Sequence, residues 1–437
     1  LPLGWLAGNF RQITVKNKKT TVMKNFIKGS LILVILLISL SCQSQERVVK
    51  TGIDVLKESN FSYLEGKRVG LITNPTGVDR DLRSTIDILY EAPNVDLVAL
   101  YGPEHGVRGD VHAGDQISTQ NDPATGLPVY SLYGSTRKPT PEMLQNIDVL
   151  VYDIQDIGSR SFTYISTMGL AMEACAELGI EFVVLDRPNP IGGRKVEGCY
   201  VEDGCFTFVS QFRIPYVYGL TCGELALLLN GERMLGSGAR PGETAQCNLR
   251  VIPMEGWNRD MFYDQTGLQW IASSPHIPQA ITAFFYPMSG IAGDLSVVSI
   301  GVGYTLPFQL FAPADSTIVP EELARNLNNL QLPGLHFRPI YFRPFYSRGQ
   351  GTTLGGVQAH LTNPSAAPLT DVNFYVIQEI HKLNPGIVFN LERITKVVGS
   401  PFITAKFAER YQFSDIRDYW YKDAEAFRQL SQRYYLY

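Results

Sequence analysis

The chain has 437 residues, of which 45% are hydrophobic, 11% aromatic and 18% charged, a composition that excludes a disordered or fibrous protein and leaves room for two domains of ordinary size. A formal net charge of -4 provides no basic footprint and argues against nucleic acid as the main partner. The 22 Tyr and 22 Phe supply core, and also faces of the kind on which sugar rings and peptides stack.

The amino terminus carries a targeting pattern. Met23 to Lys28 is a short basic segment, Leu31 to Leu40 an apolar run, and Ser39-Leu-Ser-Cys42 is similar to a lipobox. The run is too short for a membrane-spanning helix. Residues 1–50 are therefore expected to be a leader and linker, with lipid attachment at Cys42 and export to the periplasm or outer membrane. Export permits disulfides. Cys175 sits in a helical pattern and reads as a buried free thiol, whereas Cys199 and Cys205 are close enough to close a small loop. No CxxC pair is present, which argues against a zinc ribbon or a thioredoxin-like motif.

From residue 51 the pattern is strand, loop, helix, repeated. Arg68 to Thr73 predicts a strand ending at Asn74, and Ser84 predicts the cap of a helix to Tyr90. Val95 to Leu100 predicts a second strand, followed by Tyr101-Gly-Pro-Glu-His-Gly-Val-Arg-Gly-Asp110. Asp148 to Tyr152 predicts a third, then Asp153-Ile-Gln-Asp-Ile-Gly-Ser-Arg160 and a helix from Thr163 to Leu178. Phe182 to Leu185 predicts a fourth, ending in Asp186-Arg-Pro-Asn-Pro190. Such alternation specifies a parallel, doubly wound, Rossmann-like sheet, placed over residues 51–288. Thr221 and Glu224 form a capping-box signature, Tyr216 and Tyr218 are candidate pocket walls, and Leu249 to Pro253 is a further strand-like run.

Composition changes near residues 285–295. Leu295 to Tyr304 alternates as a strand, Pro320 to Leu330 reads as a helix, and Phe337 to Phe345, Gly355 to Leu361 and Asp371 to His381 read as strand, strand and helix. Residues 289–437 are thus expected to form a smaller α+β domain with an antiparallel sheet, closed by a helical, aromatic ending from Phe413.

Parallel strands bring their carboxyl-end loops to one sheet edge, so the loops at Asn74, Glu104, Asp153 to Arg160 and Asp186 to Asn189 are expected to build one site. Neither GxGxxG nor a Walker sequence follows the first strand, so no nucleotide cofactor is expected, and nothing in the sequence requires a metal. Clustered carboxylates, arginines and tyrosines suit hydrolysis of a polar, anionic substrate. Glycoside hydrolysis needs an acid at the leaving oxygen and a second group to attack or to position water. Glu104, beside Tyr101 and Pro103, is the candidate acid. Asp153, Asp156, Asp186 and His276 are candidates for the second role, and Arg108, Arg160 or Arg187 for a bidentate anion clamp. The lone His276, in Ser273-Ser-Pro-His-Ile-Pro278, is equally compatible with a loop residue facing water.

Taken together, Tyr101 to Gly106, Asp153 to Arg160 with Tyr164, and Asp186 to Pro190 followed by Gly192 and Gly193 resemble the NamZ family of exo-β-N-acetylmuramidases, from about Gly52 to the carboxyl terminus. The resemblance implies a Rossmann-like domain and a smaller α/β domain with the active-site cleft between them. It implies release of N-acetylmuramic acid from the non-reducing end of peptidoglycan fragments, with Glu104 as the catalytic glutamate. Substrate contacts are then expected from Asn74, His105, Arg108, Arg160, Tyr164, Asp186, Arg187, Asn189, Tyr218 and His276, and the lactyl carboxylate is the anion an arginine would meet. Two positions depart from the family pattern: Ser274-Pro-His276 stands where many members have Ser-Pro-Asn, and Gly301-Val-Gly-Tyr304 where many have Gly-Arg-Gly-Thr, so Val302 forgoes a possible substrate contact. A surface protein that binds muropeptides or acidic glycans without turnover is the alternative expectation.

Overall fold

Apolar runs of strand length, buried along almost their whole course in the middle of a sheet and less so toward its edges, require cover on both faces. In the computed structural model, which describes residues 48–109 and 120–437, they form β1 (Arg68–Thr73), β2 (Asp96–Gly102), β4 (Pro128–Ser131), β5 (Val149–Asp153), β6 (Glu181–Leu185) and β7 (Asn248–Ile252), with β3 (Gln120–Asn121) beside β4. The sheet order is β3-β4-β2-β1-β5-β6-β7, parallel from β4 to β7 and antiparallel only at the β3 edge. This is the α/β class the sequence predicts. The leader pattern, Cys42 and Asp110 lie outside the described residues.

The two-residue period of each strand divides its side chains between two cores. Ile72, Leu150, Tyr152, Phe182 and Val184 pack with the helices Tyr164–Leu178 and Cys222–Gly231, while Val69, Leu71, Val149, Val151 and Val183 pack with Gly52–Glu58 and Thr85–Glu91. The helix starts follow local chemistry. Ser84 Oγ accepts from the Ile86 N–H at 3.2 Å, and Thr221 with Glu224 closes the expected capping box.

A second, antiparallel sheet has the order β10-β11-β9-β8, with β8 (Val298–Ser299), β9 (Leu310–Pro313), β10 (Leu335–Phe342) and β11 (Leu354–Leu361). The strand expected over Leu295 to Tyr304 shrinks to two residues. Gly301 and Gly303 turn the backbone to φ +84° and +90°, out of the extended conformation a ladder needs, while Arg348 Nη1 donates to the carbonyls of Leu295 and Val298. The helix Thr282–Gly293 contains Pro287, which hid it from sequence reading. Asn373 spans that turn, donating to the Pro287 carbonyl at 2.8 Å and accepting from the Ala292 N–H at 3.0 Å. The ending is helical as expected, in short pieces that include Arg417–Trp420 and Ala424–Ser431. Cys199 and Cys205 are both free, and Cys175 is a buried thiol.

One apolar core joins the two sheets. Phe311, Val357, Phe374 and Trp420 of the carboxyl-terminal half belong to the same cluster as Ile157, Ile191 and Tyr216, which follow strands of the first sheet. Arg160 lies in this region, fully buried. Its Nη1 donates to the carbonyls of Cys199 (3.1 Å) and Ile214 (2.6 Å), and its Nη2 to those of Val397 and Val398 (both 3.0 Å). No carboxylate pairs with it among the described residues, and burial pulls its pKa down to about 10. Replacing Arg160 by Met strands four buried acceptors and is expected to lower the unfolding free energy by more than about 3 kcal/mol, read from urea denaturation.

Candidate active site

The first-sheet order, apart from β3, is that of a Rossmann domain, and its strand order reverses at β1, which opens a crevice at the carboxyl edge. Glu104 stands two residues beyond β2. The turn that presents it is tight: Gly106 N–H donates to the Pro103 carbonyl at 3.0 Å, and a Cβ on Gly102 would lie 3.1 Å from Gly106 Cα. His105 is held at φ +75°, a conformation costly for a side-chain-bearing residue and concentrated at functional sites.

Glu104 and His105 line a cavity of about 500 Å³, within the usual range for a small-molecule site. Tyr133 and Arg137, from the loop after β4, and Ser161 to Tyr164, from the loop after β5, form further walls. His276, Tyr286 and Phe308 close it from the segments that lead into and through the second sheet.

Glu104 is half-buried and accepts a hydrogen bond from Tyr133, whose pKa is raised to about 12 by burial and then by the carboxylate. Arg137 lies over the Phe208 ring, 4.5 Å from its centroid, and makes no ion pair among the described residues. His276 Nε2 lies 2.9 Å from the Tyr346 hydroxyl. Burial, then the neighbouring His105, lowers the His276 pKa against the opposing pull of Glu104, so its ring is held neutral at pH 7. The Tyr164 hydroxyl donates to the Ser273 carbonyl, tying the β5 loop to the segment that carries His276. Ser161 Oγ lies 2.7 Å from the Tyr216 hydroxyl and donates to Tyr286 at 3.3 Å.

The structure therefore brings Glu104, His105, Tyr164 and His276 together and places the remaining sequence candidates elsewhere. Asp153 is fully buried and paired with Arg187, whose Nε and Nη2 donate to its Oδ1 and Oδ2 at 2.5 and 2.9 Å; Thr85 adds a third bond at 2.6 Å. Arg187 also donates to the Val78 carbonyl. Asp186 accepts four bonds, from the N–H groups of Arg187 and Gly223 and the hydroxyls of Thr221 and Tyr437. Asn189 joins the Leu220 carbonyl to the Ile191 N–H. Arg108 pairs with Asp122 at 2.9 and 3.1 Å and with Asp87 at 3.1 Å, and Arg160 is committed to carbonyls. None of the three expected clamp arginines faces the cavity.

Asn74 and Asp156 are buried just behind the cavity wall. Asn74 Oδ1 accepts from the N–H and the hydroxyl of Thr76. Asp156 Oδ2 accepts from the Gly158 N–H and the Tyr218 hydroxyl, while Oδ1 has no hydrogen-bond partner among the described residues. Burial raises the Asp156 carboxyl from its ordinary 3.8 to about 6. Sequence reading missed Tyr133, Arg137, Ser161 and Tyr286. The signal for the first two was present: Val129 to Leu132 is a short apolar run followed by the Gly-containing polar turn Tyr133 to Arg137, the pattern of the other strand-end loops.

The family described as exo-beta-N-acetylmuramidase NamZ matches this chain in both its parts, the N-terminal model over residues 69–281 and the C-terminal model over residues 284–437. The chain is 43% identical over 392 residues to the peptidoglycan beta-N-acetylmuramidase NamZ of Bacillus subtilis (strain 168), covering 89% of this chain and 91% of that one. Two crystal structures of DUF1343 family proteins from Bacteroides fragilis NCTC 9343 share the fold. One is 62% identical, with a TM-score of 0.83 over 90% of this chain and 99% of its own, and the other is 27% identical, with a TM-score of 0.70 over 89% and 99%.

The buried Asp156 carboxyl supplies a pH test. Its folded pKa lies above its unfolded one, so its contribution to stability is complete below the unfolded value and is lost as pH rises through about 6. Asp156→Asn does not titrate and is expected to gain on the wild type between pH 4 and 7, by up to about 3 kcal/mol, in denaturation midpoints measured across that range.

Proposed function

The chain belongs to the NamZ family of exo-β-N-acetylmuramidases, and on that footing we propose that it is a glycosidase that releases N-acetylmuramic acid from the non-reducing end of peptidoglycan fragments. The observation that carries the assignment to this cavity is Glu104, set beyond the carboxyl end of β2 at the strand-order reversal and aimed with His105 and His276 into a space of about 500 Å³.

Glu104 protonates the glycosidic oxygen, with Tyr133 holding the carboxyl in place through its hydroxyl. The second role passes to His276. Asp153 and Asp186 are saturated by structural partners, and Asp156 lies outside the cavity walls, whereas His276 faces the cavity as a neutral ring oriented by Tyr346. A neutral imidazole can accept a proton from the attacking water. Arg137 takes the part first looked for in Arg108, Arg160 and Arg187: among the described residues it is the arginine that lines the cavity, and its guanidinium suits the lactyl carboxylate. Phe162, Phe208 and Tyr286 provide aromatic surface for the sugar.

The export reading belongs to this proposal as well. The basic segment at Met23, the apolar run to Leu40 and Cys42 support a lipid-anchored protein facing the cell wall, where such fragments arise. Metabolic labelling with a radioactive fatty acid should mark the wild type and leave Cys42→Ser unlabelled.

Turnover is tested with an aryl β-N-acetylmuraminide. Glu104→Gln is expected to lower kcat by a factor of about 100 to 10,000 while retaining binding of muramic acid. A wild type that binds without turnover would instead be a muropeptide-binding protein. Arg137→Gln should raise KM by roughly tenfold, as expected for one charge-assisted hydrogen bond, and should narrow the preference over the N-acetylglucosaminide, which lacks the carboxylate.

A further inference from the structure

Beside the Glu104 cavity lies a second chamber of about 350 Å³, and Ser161, Val209, Tyr286 and Phe308 line both. The shared wall is close to the chemistry: Ser161, Tyr286 and Phe308 stand with Glu104 in the lining of the first cavity. The second chamber has its own character. Val298, Ile300 and Val302 give it apolar surface, and Asp294, Ser347 and Arg348 give it polar groups. Arg348 spends Nη1 on backbone carbonyls, while its Nε and Nη2 make no hydrogen bond among the described residues.

From this arrangement we infer that the second chamber is the subsite for the leaving saccharide, binding the N-acetylhexosamine ring joined to the reducing side of muramic acid. The inference rests on the muramidase reading of the Glu104 cavity. One acid and one base leave the chamber without net charge, which suits an uncharged ring with an amide and hydroxyls, whereas Arg137 in the first cavity suits the carboxylate-bearing ring. The aliphatic walls meet the C–H face of the sugar, and Asp294 and Arg348 meet its hydroxyl and acetamido oxygens. Tyr346, on the same segment as Ser347 and Arg348, holds His276, so occupation of the second chamber abuts the group that handles water.

The test is a ratio of substrates on the full chain. Val302 is half-buried in the chamber wall and is not among the residues that line the Glu104 cavity. Val302→Trp fills the chamber and is expected to lower kcat/KM on the disaccharide of N-acetylmuramic acid and N-acetylglucosamine by about tenfold or more, with the aryl β-N-acetylmuraminide changed by less than about twofold. Ser347→Leu, at an exposed position in the same wall, repeats the test should the first variant not fold. Equal change on both substrates, or no change on either, would overturn the subsite while leaving the muramidase reading intact. A greater loss on a substrate whose lactyl group carries a peptide than on the disaccharide would also overturn it, assigning the chamber to the peptide. Absence of turnover on both substrates by the wild type would sink the muramidase reading, and this inference with it.

Discussion

A single guanidinium holds the site in register. Arg160 donates to carbonyls contributed by Cys199 and Ile214 on one side and by Val397 and Val398 on the other, and the next four residues in the chain are a wall of the catalytic cavity. The cation is buried without a counter-ion among the described residues, so its stability depends on those oxygens remaining where they are. Any displacement of the 397–398 backbone would both expose the charge to an incomplete shell and move Ser161, Phe162 and Tyr164. Wall geometry and the packing of the carboxyl-terminal half are therefore one constraint. Gly399 shows how closely this is drawn, since a Cβ there would come within 2.9 Å of Arg160 Nη2.

The carboxyl edge of the first sheet carries two populations of polar groups. Asp153, Arg187, Asp186 and Asn189 are buried and bound to structural partners, as is Arg160 through both Nη atoms, and they fix the loops to one another. Glu104, His105, Tyr133, Arg137 and His276 face open space. The first set does the work of a scaffold: each removes the conformational freedom of a loop that would otherwise leave reactive groups imprecisely placed. A charge with every partner satisfied has little left to offer a substrate, so the division is also a division of chemistry.

Fold class was legible because it depends on local period. Alternation of short β-branched runs with helical patterns specified the parallel sheet, and Thr221 with Glu224 gave a helix start correctly. Errors arose at two places where the backbone departs from what the local pattern suggests. Leu295 to Tyr304 alternates like a strand, but Leu295 is still in the turn after the preceding helix, its N–H bonded to the Ala292 carbonyl, and Gly301 and Gly303 take positive φ, so only Val298 and Ser299 pair as a strand. Pro287 signals a break, but the helix Thr282–Gly293 runs through it, and Asn373 bonds the Pro287 carbonyl and the Ala292 N–H on its far side.

By itself the sequence determined that polar strand-end loops would share one edge, and that Glu104 would stand on one of them, because parallel strands leave their carboxyl ends no alternative. It could not determine which charged residues are catalytic and which structural. Asp153, Asp156, Asp186, Arg108, Arg160 and Arg187 have the same residue types as a working site, and only the three-dimensional surroundings, pairing for most of them and burial away from the cavity for Asp156, distinguish a committed group from an available one. Arg137 was overlooked because it follows a strand of only four residues, and it gains importance from what surrounds it: the ring of Phe208, the Glu104 cavity and no ion-pair partner among the described residues. Availability is a property of the environment, and tertiary structure decides it because hydrogen-bond partners come from residues far apart in the chain.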